Sequence, residues 1–135
     1  TRALAIDVSD EEVILAGGVS GGVWRSADGG ATWSKTTGSN ELQSVTGIAQ
    51  DTRSGQTDTW YYITGEYAGN SAGATGASYR GDGVYKSTDG GLTWTLLSST
   101  ITEVPQTFDP YFDYNHETVV SPDACTVIVA NYGGI

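Results

Sequence analysis

Cysteine, methionine and long apolar runs are scarce in this sequence. It contains a single cysteine, Cys125, and no methionine. One cysteine cannot form a disulfide within the chain, and its β-rich surroundings predict a small buried residue. No apolar run approaches the roughly 20 residues of a membrane-spanning helix. The chain opens at Thr1 without a signal segment, which predicts a mature product or a portion of a longer protein.

Positive charge is also scarce. The chain has 6 Lys and Arg against 16 Asp and Glu, a formal net charge of −10. Such a charge opposes contact with nucleic acid phosphates and with anionic lipid surfaces. The sequence therefore predicts no nucleic acid partner and no membrane insertion. An acidic excess is also typical of exported β-proteins, which it keeps soluble.

Glycine and aromatic residues are abundant instead. The 135 residues include 19 Gly, 8 Tyr and 4 Trp, with Thr, Ser and Val frequent between the glycines. This composition is typical of short strands joined by tight turns. We therefore expect an all-β fold.

One motif occurs twice, 61 residues apart. Residues 26–33 read Ser-Ala-Asp-Gly-Gly-Ala-Thr-Trp, and residues 87–94 read Ser-Thr-Asp-Gly-Gly-Leu-Thr-Trp. The flanks are similar too, since residues 22–25 and 83–86 both read Gly, Val, aromatic, basic. This internal repeat indicates an architecture built from similar units.

Each unit is predicted to contain four strands, which we name A to D from the inside of the fold outwards. Strand A covers residues 3–8 in the first unit and 45–50 in the second, an offset of 42; strand B covers 13–18 and 61–66, an offset of 48. The second unit would then carry 13 additional residues between strands B and C. Residues 117–120 and 126–130 predict strands A and B of a third unit.

Repeated units of four antiparallel strands are the sequence signature of a β-propeller. We expect a first blade over residues 1–38, a second over 39–100 and a connector with two strands of a third blade over 101–135. A propeller needs about four to eight blades, because each blade buries its faces against its neighbours. The chain is therefore predicted to be about two and a half blades of a larger propeller, with the remaining blades of the same polypeptide as partners.

The repeated motif has the residues that a tight turn between strands C and D requires. Its glycines allow positive φ angles, and its aspartate can accept hydrogen bonds from backbone amides of the turn. One carboxylate per copy is too few for a calcium site, so we expect no metal and no cofactor. The residues assigned this structural role are Ser26, Asp28, Gly30, Thr32, Trp33, Ser87, Asp89, Gly91, Thr93 and Trp94.

The pattern Ser-x-Asp-x-Gly-x-Thr-Trp resembles the Asp box of sialidases, xyloglucan-active glycoside hydrolases, sortilin-type receptor domains and photosystem assembly factors. The segment from Gly65 to Ser87 most resembles sortilin-like propellers of secreted Bacteroidota proteins. This resemblance implies a secreted or cell-surface bacterial protein. It also implies that Asp boxes build the scaffold and that ligands bind elsewhere.

Ligand binding is predicted at the end of the propeller opposite the Asp boxes. The B–C loop of the second blade (66–82) and the connector 98–116 both lie at that end, and loops held on a rigid scaffold commonly carry binding sites. Aromatic rings beside carboxylates suit a sugar or a peptide, although the same aromatics could simply anchor the loops. The candidate binding residues are Glu66, Tyr67, Tyr79, Arg80, Tyr111, Tyr114 and His116.

No catalytic residue is assigned. Glu66, Asp109, Asp113 and Glu117 could supply the two carboxylates of a glycoside hydrolase, whereas the chain's four arginines match no sialidase pattern. We therefore expect a non-catalytic propeller that binds protein or glycan. The alternatives are a glycoside hydrolase, xyloglucanase-like or sialidase-like, with catalytic residues partly outside this segment, and a structural part of a surface adhesin.

Overall fold

The computed structural model describes residues 1–69, 77–101, 112–123 and 126–132 of the chain. The described residues form strands, turns and one short 3-10 turn, Ser98–Thr100. No helix among them is long and apolar enough to cross a membrane. The strands are β1 (Ala3–Ile6), β2 (Ile14–Gly18), β3 (Gly22–Ser26), β4 (Ser34–Lys35), β5 (Val45–Gln50), β6 (Trp60–Thr64), β7 (Glu66–Gly69), β8 (Ala77–Tyr79), β9 (Val84–Ser87), β10 (Thr95–Leu96), β11 (Asn115–Val120) and β12 (Val127–Asn131).

These strands form antiparallel sheets that correspond to blades. Blade 1 is the sheet β1-β2-β3-β4, and blade 2 is the sheet β5-β6-β9-β10. Strands β11 and β12 pair with each other as the described part of blade 3. The predicted all-β fold, with four antiparallel strands in each of the two repeat units, is confirmed.

The predicted offsets for strands A and B are wrong by two residues. Ser26 pairs with Ile14 in blade 1, and the equivalent Ser87 pairs with Trp60 in blade 2. Strand B therefore repeats at an offset of 46 residues and strand A at 44, which lengthens the insertion in blade 2 to 15 residues. Sequence similarity could not fix this register, because both strands are mostly apolar and a two-residue slip leaves each side chain on the same face of the sheet.

The inserted segment is not simply the loop that the sequence predicts. Its described ends form a second small sheet, in which β7 pairs with β8 and Glu66 lies opposite Tyr79. This hairpin extends blade 2 at the end opposite the Asp turns. Both of its described strands carry an aromatic residue, Tyr67 and Tyr79, a residue type that favours strands.

Successive side chains of a strand point to opposite sides of its sheet, so each blade has two faces made of different residues. We call the face of blade 2 that packs on blade 1 its front face, and the opposite one its back face. The core between blades 1 and 2 contains Leu15 and Val23 from the back of blade 1, and Trp60, Tyr62 and Tyr85 from the front of blade 2. The rings of Tyr62 and Tyr85 stack there, 4.5 Å apart. Front-to-back packing is therefore the rule between the two complete blades.

A second core lies between blades 2 and 3. It contains Ile63 and Val84 from the back of blade 2, together with Val120 of blade 3. Val127 and Val129 pack against this cluster. The order of the blades in space thus follows their order in sequence.

The two Asp turns have the same internal hydrogen bonds. In the turn of blade 1, the Ser26 hydroxyl donates to Asp28 over 2.8 Å and accepts from the Gly30 amide over 2.8 Å. The amide and hydroxyl of Thr32 donate to the two carboxylate oxygens of Asp28 over 2.8 and 2.6 Å. The turn of blade 2 repeats every one of these bonds through Ser87, Asp89, Gly91 and Thr93.

These hydrogen bonds keep both aspartates charged. The hydrogen bonds from Thr32 and Ser26 lower the pKa of Asp28 to about 2. For Asp89, burial acts to raise the pKa, but hydrogen bonds from Thr93 and Ser87 outweigh it and lower the value to about 2. A carboxylate that accepts several hydrogen bonds is favoured in its ionised form.

Candidate functional site

A polar cavity of about 260 Å³ lies at the end of the molecule opposite the Asp turns. All three blades contribute to the cavity. Strand A of each blade begins at this end of the molecule, and strand B of blade 2 ends there. The cavity is lined by Arg2, Thr46, Glu66, Tyr67, Asn115, His116 and Glu117. Sequence positions more than 100 residues apart therefore meet in one small site.

Two backbone segments cross closely at Gly65 and Asn115, next to the cavity lining. Gly65 has a φ of +96°, and a Cβ there would lie 2.0 Å from the carbonyl oxygen of Asp113. The side-chain amide of Asn115 donates to the carbonyl oxygens of Thr64 and Phe112 over 2.6 and 2.9 Å. Only glycine fits at position 65, and this crossing joins the end of β6 to the start of β11.

Charge in the cavity is arranged around one ion pair. The guanidinium of Arg2 contacts the carboxylate of Glu66, which is only 4% exposed. The cation stabilises the charged form of this buried carboxylate. Glu117 is exposed and lines the same cavity, so the carboxylates of the lining outnumber its one arginine.

Three tyrosines form a ledge beside the cavity. The rings of Tyr67 and Tyr132 stack 4.0 Å apart, and Tyr114 meets the ring of Tyr67 edge-on at 5.4 Å. Tyr67 and Tyr132 are 41% and 44% exposed, whereas Tyr114 is buried beneath them. A hydrogen bond with Tyr132 raises the pKa of Tyr67. We call Tyr67, Tyr114 and Tyr132 the tyrosine ledge.

The structure brings some of the predicted binding residues together and leaves others apart. Glu66, Tyr67 and His116 line the cavity. The buried ring of Tyr114 packs edge-on against the ring of Tyr67. Tyr79 lies on β8 opposite Glu66, and exposed Arg80 accepts a hydrogen bond from Ser44 at its backbone carbonyl; neither residue lines the cavity. The described residues do not include Tyr111.

The four carboxylates considered for hydrolysis are also separated. Glu66 and Glu117 line the cavity, and Asp113 is buried at 2% exposure, outside that lining. Asp109 lies outside the described residues. The described ranges contain no group of three or more His, Cys, Asp or Glu side chains placed to hold a metal ion.

Sequence reasoning did not select Arg2, Asn115 or Tyr132 for this site. Arg2 precedes the first strand, Asn115 looks like any polar residue before a strand, and Tyr132 follows strand B of blade 3. The strand order of a propeller offered one clue to these residues. In every blade, strand A begins and strand B ends at the same end of the propeller. A polar or aromatic residue at each of those positions could have been grouped in advance.

Two comparisons relate the chain to enzymes. A xyloglucanase of a Paenibacillus species is 36% identical over an alignment of 101 residues, which covers 70% of this chain and 10% of that protein. A GH74 enzyme of Niastella koreensis superposes with a TM-score of 0.64 at 25% identity, over 99% of this chain and 17% of that one. This chain thus spans about a tenth of the xyloglucanase and about a sixth of the GH74 structure.

More distant structures share the fold. An ancestral GH74 enzyme matches with a TM-score of 0.64 at 20% identity, over 95% of this chain and 16% of the other. YCF48 from Cyanidioschyzon merolae matches with a TM-score of 0.53 at 16% identity, over 98% and 34%. No family model matches the sequence. The chain is therefore a β-propeller fragment of about two and a half blades, similar over most of its length to part of a xyloglucanase.

Proposed function

We propose that these blades belong to a glycoside hydrolase propeller that acts on a xyloglucan-type polysaccharide. We further propose that the cavity and its tyrosine ledge bind the sugar chain. The observation that carries the proposal is the cavity opposite the Asp turns, in which two carboxylates lie beside exposed aromatic rings. The similarity to a named xyloglucanase supports the polysaccharide as substrate. The glycoside hydrolase placed second by sequence analysis thus becomes the leading hypothesis.

The shape and chemistry of the site suit a neutral sugar chain. Exposed tyrosine faces offer flat apolar area to the C–H faces of pyranose rings. The exposed carboxylate of Glu117 offers acceptor oxygens for sugar hydroxyls. The slight negative charge of the lining disfavours uronic acids and other anionic sugars.

We assign the two cavity glutamates to binding and not to proton transfer. A general acid must carry a proton at the working pH, whereas the contact with Arg2 favours the charged form of Glu66. Glu117 is exposed to solvent, where it can accept hydrogen bonds from sugar hydroxyls. The catalytic carboxylates would then come from other blades of the same propeller.

The polypeptide that contains these blades should release reducing sugar from xyloglucan. Replacing Tyr67 with alanine should raise KM about tenfold, the equivalent of 1.4 kcal/mol of binding free energy, with kcat changed less than about threefold. A higher KM at constant kcat is the mark of lost uniform binding. Glu117→Gln should have the same pattern, because it too is assigned to binding.

Leu92→Ala is the control for these variants. Leu92 is 53% exposed in the Asp turn of blade 2, at the opposite end of the molecule, and its loss should leave KM and kcat unchanged. A large fall in kcat for Glu117→Gln would make Glu117 catalytic and contradict the assignment to binding. Binding of xyloglucan without hydrolysis would restore the non-catalytic propeller, and the absence of both would refute the proposed substrate.

A further inference from the structure

Asn115 is a fully buried polar residue beside the candidate site. It is 0% exposed, and its side-chain amide donates to the carbonyl oxygen of Thr64 over 2.6 Å and to that of Phe112 over 2.9 Å. The two carbonyls belong to separate segments, since Thr64 ends β6 and Phe112 precedes β11. One planar amide therefore uses both of its N–H donors to tie two segments together.

This arrangement is unfavourable for the fold in two respects. The Oδ1 atom of Asn115 is buried without a hydrogen-bond partner among the described residues, and an unpaired buried acceptor destabilises a protein. Phe112 has a φ of +64°, the one positive φ outside glycine in the described ranges. Strain of this kind persists only where surrounding contacts impose it, and it is concentrated at binding sites. Packing alone therefore does not explain an asparagine at position 115.

The two tied segments carry the tyrosine ledge. Tyr67 lies two residues after Gly65 on the hairpin strand β7, and Tyr114 immediately precedes Asn115. The N–H of Tyr132 donates to the carbonyl of Tyr114 over 2.9 Å, which joins the third ring to the same segment. The position of the Tyr67 ring relative to the other two rings therefore depends on how the end of β6 is fixed against the start of β11.

Backbone hydrogen bonds support the same crossing. The N–H of Asn115 donates to the carbonyl of Gly65 over 3.1 Å. At the other end of the hairpin, the N–H of Gly81 donates to the carbonyl of Asp113 over 2.8 Å. These bonds do not depend on the side chain at position 115, whereas the bonds to Thr64 and Phe112 require its amide. A substitution at this position therefore removes the side-chain bonds alone.

Asn115 also begins an irregularity of β11. The ladder with β12 pairs Asn115 with Asn131 and Glu117 with Ala130, which leaves His116 as an additional residue. A β-bulge of this kind changes the direction of side chains and is common next to active sites. Here the successive residues His116 and Glu117 both line the cavity.

We propose that Asn115 is a positioning residue for the tyrosine ledge, and that its side-chain amide holds the ring of Tyr67 in place against Tyr114 and Tyr132. Asn115 touches no sugar itself and acts through Tyr67. Asparagine suits this role because it has two N–H donors on a short, neutral side chain. The consequence for sugar binding rests on the proposed function, whereas the placement of the ring can be tested without any sugar.

Fluorine NMR of the full polypeptide tests the placement of the ring. Fluorotyrosine replaces Tyr67 alone or, in a second preparation, Tyr62, whose ring lies in the core between blades 1 and 2. Asn115→Leu removes both donors at a similar side-chain volume. The signal from position 67 should move towards its value in the denatured protein, and the signal from position 62 should stay in place.

Asn131→Leu is the matched control for this variant. Asn131 pairs with Asn115 across the ladder of β11 and β12, is half-buried and lies outside the cavity lining. The control should move neither fluorine signal. An equal movement of the signal from position 67 in both variants would mean that the amide of Asn115 has no special role, and would overturn the inference.

A double-mutant cycle tests whether Asn115 acts through Tyr67. Asn115→Leu should raise KM for xyloglucan about fivefold by itself, but less than about twofold in the Tyr67→Ala background, because the effects of coupled residues do not add. The value of kcat should change less than about threefold in either background, as expected for a loss of binding. A residue needed only for folding would have the same effect in both backgrounds.

Three further results would overturn the inference. An unmoved signal from position 67 would show that Asn115 does not position this ring. Movement at both positions 67 and 62 would make Asn115 a residue of the general fold, and equal rises of KM in both backgrounds would exclude action through Tyr67.

Failure of the proposed function has a different signature. If the polypeptide neither binds nor cleaves xyloglucan, the substrate is wrong, yet the fluorine signals still decide the role of Asn115. Circular dichroism checks that the variants fold. Should Asn115→Leu fail to do so, Asn115→Thr, which keeps one hydroxyl donor, takes its place and should give the same changes to a smaller extent.

Discussion

The two Asp turns have the same sequence pattern and the same hydrogen bonds between their serine, aspartate and threonine, yet their surroundings differ. In blade 2, Trp94 is 8% exposed and meets the ring of Tyr62 edge-on at 4.8 Å. In blade 1, Trp33 is 38% exposed. The difference teaches that the motif makes the turn, whereas the neighbouring blade decides how much the turn contributes to stability.

Removing the buried tryptophan should have the largest effect. Trp94→Ala would lose the contact with Tyr62 and the hydrogen bond to Thr36, and should lower the free energy of unfolding by about 3 to 5 kcal/mol. Chemical denaturation of the full polypeptide measures this. Trp33→Ala in the same protein sharpens the comparison: a loss below about 1 kcal/mol would mean that its ring stays as exposed as in these blades, and a loss equal to that of Trp94→Ala would mean that a neighbouring blade covers it.

Replacing one glycine of each turn with alanine adds a single methyl group. The two losses of stability should separate the cost of backbone strain from the cost of overpacking. Gly30 and Gly91 have similar φ angles, +92° and +83°, but a Cβ at Gly91 would lie 2.9 Å from Leu15, whereas at Gly30 its nearest neighbour is 3.6 Å away. Gly30→Ala should cost about 1 to 2 kcal/mol for the left-handed conformation. Gly91→Ala should cost a further 1 to 3 kcal/mol for overpacking. Equal losses in thermal or chemical unfolding would contradict the inter-blade contact.

The smallest expected effect is on the pH dependence of the free energy of unfolding. The pKa values of Asp28 and Asp89 are lowered to about 2 from the ordinary aspartate value of 3.8. The stability that their ionised forms contribute is therefore complete above about pH 4 and is lost as the pH falls towards about 2. In a double variant, Asp28→Asn with Asp89→Asn, the free energy of unfolding should fall less steeply over this range.

Part of the acid dependence should remain in that double variant. Asp51 belongs to neither turn, and its hydrogen bond from Arg53 lowers the pKa of this carboxyl. Unfolding curves recorded between about pH 2 and pH 6 measure the difference. An unchanged slope in the double variant would mean that the turn hydrogen bonds do not depend on the charged carboxylates.

Sequence reasoning predicted the strands and the turns well, because both depend on local patterns. The repeat at 61 residues located strands C and D, and short apolar stretches that match between the two units located strands A and B. It failed on the register of strands A and B, since Ile14 and Trp60 are matched only through their partners Ser26 and Ser87. It also treated residues 66–82 as a loop, although β7 and β8 pair there.

The candidate site was predicted only in part. The order of the strands places two segments, 66–82 and 98–116, at one end of the propeller. These segments contain Glu66, Tyr67, Tyr114 and His116. Arg2 joins them because β1 and β5 lie side by side in space, which no local pattern encodes.

The sequence by itself determined the all-β class, the four-stranded repeat and the chemistry of the Asp turns. Glycine conformation, strand propensity and short-range hydrogen bonds act within a few residues, so their effects can be read along the chain. The tertiary structure decided which face of each blade is covered, which tyrosines form the ledge and which carboxylate pairs with Arg2. Those features depend on contacts between blades, where side chains from distant positions exclude water together.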